Sequence, residues 1–253
     1  MSADPPCVPE PSGPEPSGLE PSVAADLTLA RQGTEYYDRL LAELSDDELD
    51  EPSLLPGWDR RHVVAHVAGN ARALARLVDW ARTGVTNPMY PSVEARNAEI
   101  EAQARTSPVQ LRERHRIDAA ALAAAWRDLP AGNWAVPVRT AQGRTVPASR
   151  TAWMRVREVW LHAVDLGTTG RFGDFPPGLV DRLLVDVTGW WAASGDGAGP
   201  TLSPTDRVVP GLPVAGAVVV RGTAADLLGW ATGRGTGGVT TGTGEPLVAP
   251  RWL

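Results

Sequence analysis

Residues 151–167, TAWMRVREVWLHAVDLG, decide how this chain is read. No Gly or Pro occurs until Gly167, so the stretch is expected to be a helix with Gly167 as its C-cap. Ala152, Trp153, Met154, Val156, Val159, Trp160, Leu161, Ala163, Val164 and Leu166 cover most of its circumference, which implies burial on several sides. Into that apolar surface the helix places Glu158 and His162 at i,i+4, one turn apart on one face. A charged group in a buried helix needs a partner or a metal. Two readings fit the pair: a Glu–His hydrogen bond at a helix contact, or two ligands of a metal ion.

The neighbouring segments bear on that choice. A first helix is expected over about Ala24–Leu44, with Leu27, Tyr36, Leu40, Leu41 and Leu44 in helical register. Asp59 is placed to cap a second helix, Arg60–Thr83, whose apolar stripe runs through Val63, Val67, Ala71, Leu74 and Val78. At about 100° per residue, His66 falls against the flank of this stripe and His62 turns toward its polar edge. A short polar helix is expected in SVEARNAEIEAQA, and a third long helix over Val109–Leu129, with His115 among charged residues as a surface or interface histidine. A strand is expected around Trp134–Val138. Four long helices, with inward polar residues on the second and the fourth, predict a bundle, and facing bundle helices are a common place for metal sites. His66, Glu158 and His162 would give three ligands and leave a fourth position open, the pattern of a catalytic zinc rather than a closed structural one. The bundle thus favours the metal reading of Glu158 and His162.

Beyond residue 172 the pattern changes. Residues 176–194 read as a fifth helix and 195–200 as a Gly-rich linker. Strands are expected at Val208–Val209 and Val214–Val220, then a short helix, Ala224–Thr232, ended by Gly233. The run GRGTGGVTTGTG lacks the strand–loop–helix order of a phosphate loop. The expected fold is therefore mainly α. A helical bundle spans residues 23–172, a helix and linker span 173–200, and a small C-terminal α+β domain spans 201–253. Residues 1–22 carry seven prolines and a repeated PEPSG, and are expected to be a disordered arm.

Composition narrows the chemistry. All 24 basic residues are arginines, so neither a Schiff-base lysine nor a P-loop lysine is available. Cys7 is the one cysteine, which excludes a disulfide framework and a thiolate metal site. The formal net charge of −6 argues against a nucleic-acid partner. No apolar run approaches the roughly 18–20 residues of a membrane span, and the N-terminus does not read as a secretory signal. A cytoplasmic protein is expected.

Four stretches resemble one family: LPGWDRRHVVAHVAGNA (55–71), NPMYPSVEARNAEIEA (87–102), WMRVREVWLHAVDLG (153–167) and ADLLGWATGRG (225–235). They resemble the mycothiol-dependent maleylpyruvate isomerases, over about residues 24–240. The resemblance implies a DinB-like four-helix N-terminal domain with a small C-terminal domain. It implies a divalent metal, Zn2+, on His66, Glu158 and His162, and an essential arginine at Arg234. The implied reaction is cis–trans isomerisation of maleylpyruvate to fumarylpyruvate, a step of gentisate breakdown. The partners would be a small dicarboxylate and the low-molecular-weight thiol mycothiol. Thiolate addition to the C=C bond makes a single bond that rotates, and elimination restores the double bond. With Cys7 far from the motifs, the thiol would come from the cofactor. A mycothiol S-transferase would share the same ligands, and a metal-bound binding module would show no turnover; the 87–102 stretch and Arg234 favour the isomerase.

Overall fold

The computed structural model of the chain describes residues 21–193, 199–214, 216, 218–242 and 248–252. Residues 1–20, with Cys7 and most of the expected arm, lie outside the described residues, as do most of the expected linker, 194–198, and Ala215 and Ala217 of an expected strand.

Four long helices form the bundle: α1 (Pro21–Ala42), α2 (Arg60–Thr83), α4 (Pro108–Arg127) and α5 (Arg150–Asp165), with a short α3 (Val93–Ala104) between α2 and α4. α2 begins where the sequence indicates, because the Asp59 side chain accepts from His62 N, and it ends at Gly84, in the left-handed conformation at φ 75°. α4 opens with a capping box, Ser107 with Gln110, and Pro108 in the first turn, where a missing N–H costs nothing. α5 stops two residues before Gly167, which takes φ 65°.

α2 packs on α4 and α5, and α1 packs on α5. The α1–α5 contact is close because Gly33 has no side chain: a Cβ there would lie 2.5 Å from Val159 and from the Trp160 indole. Trp160 closes the contact by donating Nε1 to the Leu29 carbonyl at 2.9 Å, and Tyr36 stacks on its ring at 5.1 Å. Val63, Val67, Ala71, Leu74 and Val78 of α2 are all buried, as their spacing requires.

After the bundle come α6 (Pro177–Ala193), β3 (Thr201–Pro204), β4 (Val219–Gly222), α7 (Ala224–Ala231) and β5 (Thr240–Thr241). The three strands lie in the order β3-β4-β5, with β3 parallel to β4 and β5 antiparallel to it. α7 packs against α6 and β4. A separate hairpin, β1 (Pro137–Arg139) with β2 (Thr145–Pro147), pairs Val138 with Val146 beside the bundle. None of the described helices is long and apolar enough to cross a membrane.

Several expectations are corrected. α1 starts at Pro21, so the last residues assigned to the arm belong to the helix. The segment around Trp134 is a 3-10 turn over Ala131–Ala135, and the strand begins only at Pro137. Val208 is exposed and not in a strand, whereas β3 and β5 arise in stretches without a strand signature. Of the two placements expected for His115, surface or interface, the structure shows the second: it is buried, its Nε2 meets Asp38 Oδ1 at 2.7 Å and its ring tilts against Tyr37. Its neighbours in sequence are charged, but helical rotation carries it inward toward α1.

Candidate metal centre and its cavity

α2 and α5 bring His66, Glu158 and His162 together. Among the described residues they form the one cluster of three His, Cys, Asp or Glu side chains whose ligand atoms converge, all within 4.8 Å of one another. Glu158 Oε2 lies 2.9 Å from His66 Nε2 and 3.3 Å from His162 Nε2. The two imidazole rings stand perpendicular, 4.7 Å between centroids. Despite those distances, Glu158 Oε2 is buried and no donor approaches it at a hydrogen-bonding angle. Ligand bonds of about 2.0–2.2 Å in a tetrahedron give edges of roughly 3.3–3.6 Å, close to the longer of these separations. Two imidazoles and a carboxylate also form a donor set suited to zinc. The residues therefore fit a divalent metal.

Asp165 sets the orientation of His162. Its Oδ2 accepts from His162 Nδ1 at 2.7 Å, and its side chain is wholly buried. With Nδ1 carrying the hydrogen, Nε2 presents a lone pair toward Glu158, where two acceptors face each other unless a cation or proton lies between them. The charges agree with this. Burial works to raise the Glu158 carboxyl, but the two histidines outweigh it and hold it well below the usual range. Burial lowers His66. Burial also works against His162, but the hydrogen bond its Nδ1 donates to Asp165 and the negative charge of the adjacent Glu158 outweigh it and raise the imidazole to about 9.

The C-terminal segment reaches this site through Arg234. α7 ends at Ala231, Gly233 follows at φ 76°, and the next residue turns its guanidinium onto Asp165: Nε to Oδ1 and Nη2 to Oδ2, both at 2.8 Å. Nη1 donates to the Thr232 carbonyl. Arg234 thus forks a buried carboxylate that itself holds His162. Sequence reasoning singled out Arg234 but missed Asp165. The signal was present, because Asp165 lies at i,i+3 from His162 on one helix face.

The cluster forms part of the wall of a cavity of about 430 Å³, which Arg96, Arg144, Arg150, Arg157 and Arg234 also line. Trp58 sets its ring edge against His66, 5.5 Å between centroids. His62 stays out of the cluster: its Nδ1 sits 2.6 Å from the capping Asp59 and its Nε2 3.3 Å from Glu101. On α2, His66 thus faces the cluster and His62 faces away from it, as a rotation of about 100° per residue places them.

Residues 30–167 match the family model described as the mycothiol maleylpyruvate isomerase N-terminal domain. The chain belongs to the mycothiol maleylpyruvate isomerase family. Residues 174–251 match the C-terminal domain model of that family. The chain is similar to a crystal structure of a mycothiol-dependent maleylpyruvate isomerase, with 46% identity, a TM-score of 0.84, and coverage of 91% of this chain and 97% of that one. A histidine-to-alanine mutant of a mycothiol-dependent maleylpyruvate isomerase is similar at 46% identity and a TM-score of 0.83, with the same coverage. No curated protein sequence matches the chain. Family membership agrees with the mainly α fold and its small C-terminal sheet.

Proposed function

We propose that this protein isomerises maleylpyruvate to fumarylpyruvate with mycothiol as its thiol, at a zinc ion held by His66, Glu158 and His162. The observation that carries the reading is the convergence of those three side chains on the wall of an arginine-lined cavity, in a chain of this family. Zinc bound there would supply Lewis acidity, lowering the pKa of a coordinated thiol so that thiolate is present near neutral pH.

The chain's own residues do the rest. Asp165 fixes the His162 tautomer, keeping the Nε2 lone pair toward the ligand position. Arg234 holds Asp165 in place with two parallel hydrogen bonds and so joins the C-terminal segment to the site. The five cavity arginines outnumber the carboxylates nearest them, Glu158, Asp165 and Asp186. The cavity therefore attracts a dianion and stabilises negative charge that develops as a thiolate adds to its double bond. The resemblance places the family's essential arginine at Arg234, which in this reading acts on the metal centre through Asp165. Residues 23–172 carry the metal ligands and 201–253 bring Arg234. In this reading mycothiol supplies the thiol, and the single cysteine of the sequence, Cys7, has no part in the step. A cytoplasmic enzyme acting on small soluble ligands completes the reading.

The test is a spectrophotometric assay of maleylpyruvate conversion with zinc-loaded protein, with and without mycothiol. The expected result is turnover that requires mycothiol. Absence of turnover with both present, in protein holding one zinc per chain, would refute the reading.

A further inference from the structure

The cavity arginines are not equivalent. Arg150 and Arg157 share Asp186, at 3.2 and 3.0 Å. Arg234 is forked onto Asp165. Arg144 is exposed, over the Trp190 ring at 5.3 Å. Arg96 differs from all of these. It is half-buried on α3, and no carboxylate among the described residues lies within ion-pair distance of it. Its guanidinium sits over Tyr90 at 5.9 Å, with Nη1 on Asn97 Oδ1 and Nη2 on His66 Nδ1, each at 3.1 Å.

The contact with His66 is informative. A guanidinium only donates, so His66 Nδ1 must accept, and the ring hydrogen then sits on Nε2. Once Nε2 is turned to a metal ion, the hydrogen moves to Nδ1, and N–H would face N–H. Arg96 and a metal-bound His66 cannot keep this contact. In the metal-loaded protein Nη1 keeps Asn97 Oδ1, but Nη2 of this half-buried cation loses its acceptor at the edge of the metal centre, and no carboxylate among the described residues neutralises the charge. Such a group calls for an anion from outside.

We propose that Arg96 is the residue that receives a substrate carboxylate beside the metal, so that the ligand class selected here is a small dicarboxylate with one carboxylate on Arg96. This rests on the function proposed above and adds to it a residue that fixes specificity. The stretch that holds it, residues 87–102, thereby gains a role: Met89 and Tyr90 hold the approach, and Ser92 caps the short helix that aims Arg96 at His66. Arg234, its fork occupied by Asp165, supports the site from behind.

The experiment titrates maleate into zinc-loaded protein by calorimetry and compares wild type, Arg96→Gln and Arg96→Lys, with zinc content measured in each. Arg96→Gln is expected to keep one zinc per chain and weaken maleate binding by about 10- to 100-fold, the loss of a charge-assisted contact. Arg96→Lys should recover part of it. In the isomerase assay the same change should raise KM more than it lowers kcat. Zinc retained with maleate affinity within twofold of wild type would overturn the proposal. Loss of zinc from both variants would also overturn it, by making Arg96 a support for His66. Maleate binding that depends on Arg96, in a protein that does not isomerise maleylpyruvate, would leave Arg96 its role and refute the function instead.

Discussion

Replacing Asp165 with asparagine tests the link between the metal centre and the C-terminal segment. Asp165 accepts three hydrogen bonds: from His162 Nδ1 at 2.7 Å and from Arg234 Nε and Nη2, both at 2.8 Å. Asparagine offers one oxygen and one NH2. In either flip a donor group faces a donor, Arg234 Nε on one side or His162 Nδ1 and Arg234 Nη2 on the other. The Arg234 side chain is only 11% exposed, so little water can replace the lost charge. Breaking a buried pair from one side costs about 3–5 kcal/mol, and metal-free Asp165→Asn should lose on that order in guanidinium unfolding. Metal affinity should fall about 10- to 100-fold, the usual effect of losing the group that orients a ligating histidine. Competition with a chromophoric chelator measures it. Arg234→Ala should leave zinc binding close to wild type, because Asp165 still holds His162. The double variant should be less destabilised than the sum of the singles, since no guanidinium is then stranded. Zinc affinity within twofold of wild type in Asp165→Asn, alongside reduced stability, would show that Asp165 is only a clamp between segments and does not set the ligand.

Three further outcomes are expected. His66→Ala and His162→Ala should each lose stoichiometric zinc on metal analysis, while His62→Ala, whose ring pairs with Asp59 and Glu101, should keep it; the reverse pattern would place the site on the wrong histidine. Zinc affinity should rise with pH by about tenfold per unit between pH 6 and 8: His162, raised to about 9, must release a proton to bind through Nε2, so protons compete more as pH falls. A flat profile over that range would contradict the proton's place on His162. Gly33→Ala should destabilise the protein by about 1–3 kcal/mol in urea unfolding, since the new Cβ meets Val159 and Trp160 in the α1–α5 contact; an unchanged midpoint would mean that the two helices separate easily.

Much of the bundle was legible because its signals are local. The start of α2 at Arg60 follows from Asp59, and the end of α5 from Gly167, through hydrogen bonds made within a few residues. The i,i+4 spacing of Glu158 and His162, and the rotation that favours His66 over His62, come from the fixed pitch of a helix. The short strands were not legible. β3 contains a proline and β5 only two threonines, and both are strands because β4 lies between them and supplies their partners. A strand's hydrogen bonds run to another segment, so its own residues carry less of the information.

The sequence by itself determined the helices, their caps and which polar side chains share a face. Only the tertiary structure decided that Asp165 would join His162 to an arginine 69 residues away, and that Arg96 would reach His66 from α3. The buried His115 belongs with these, since its partner Asp38 lies on another helix. The physical reason is the same in each case. Helical geometry fixes neighbours three and four residues apart, but a charge from a distant element finds its partner through how the elements pack, and the lack of solvent between them gives that partnership its strength.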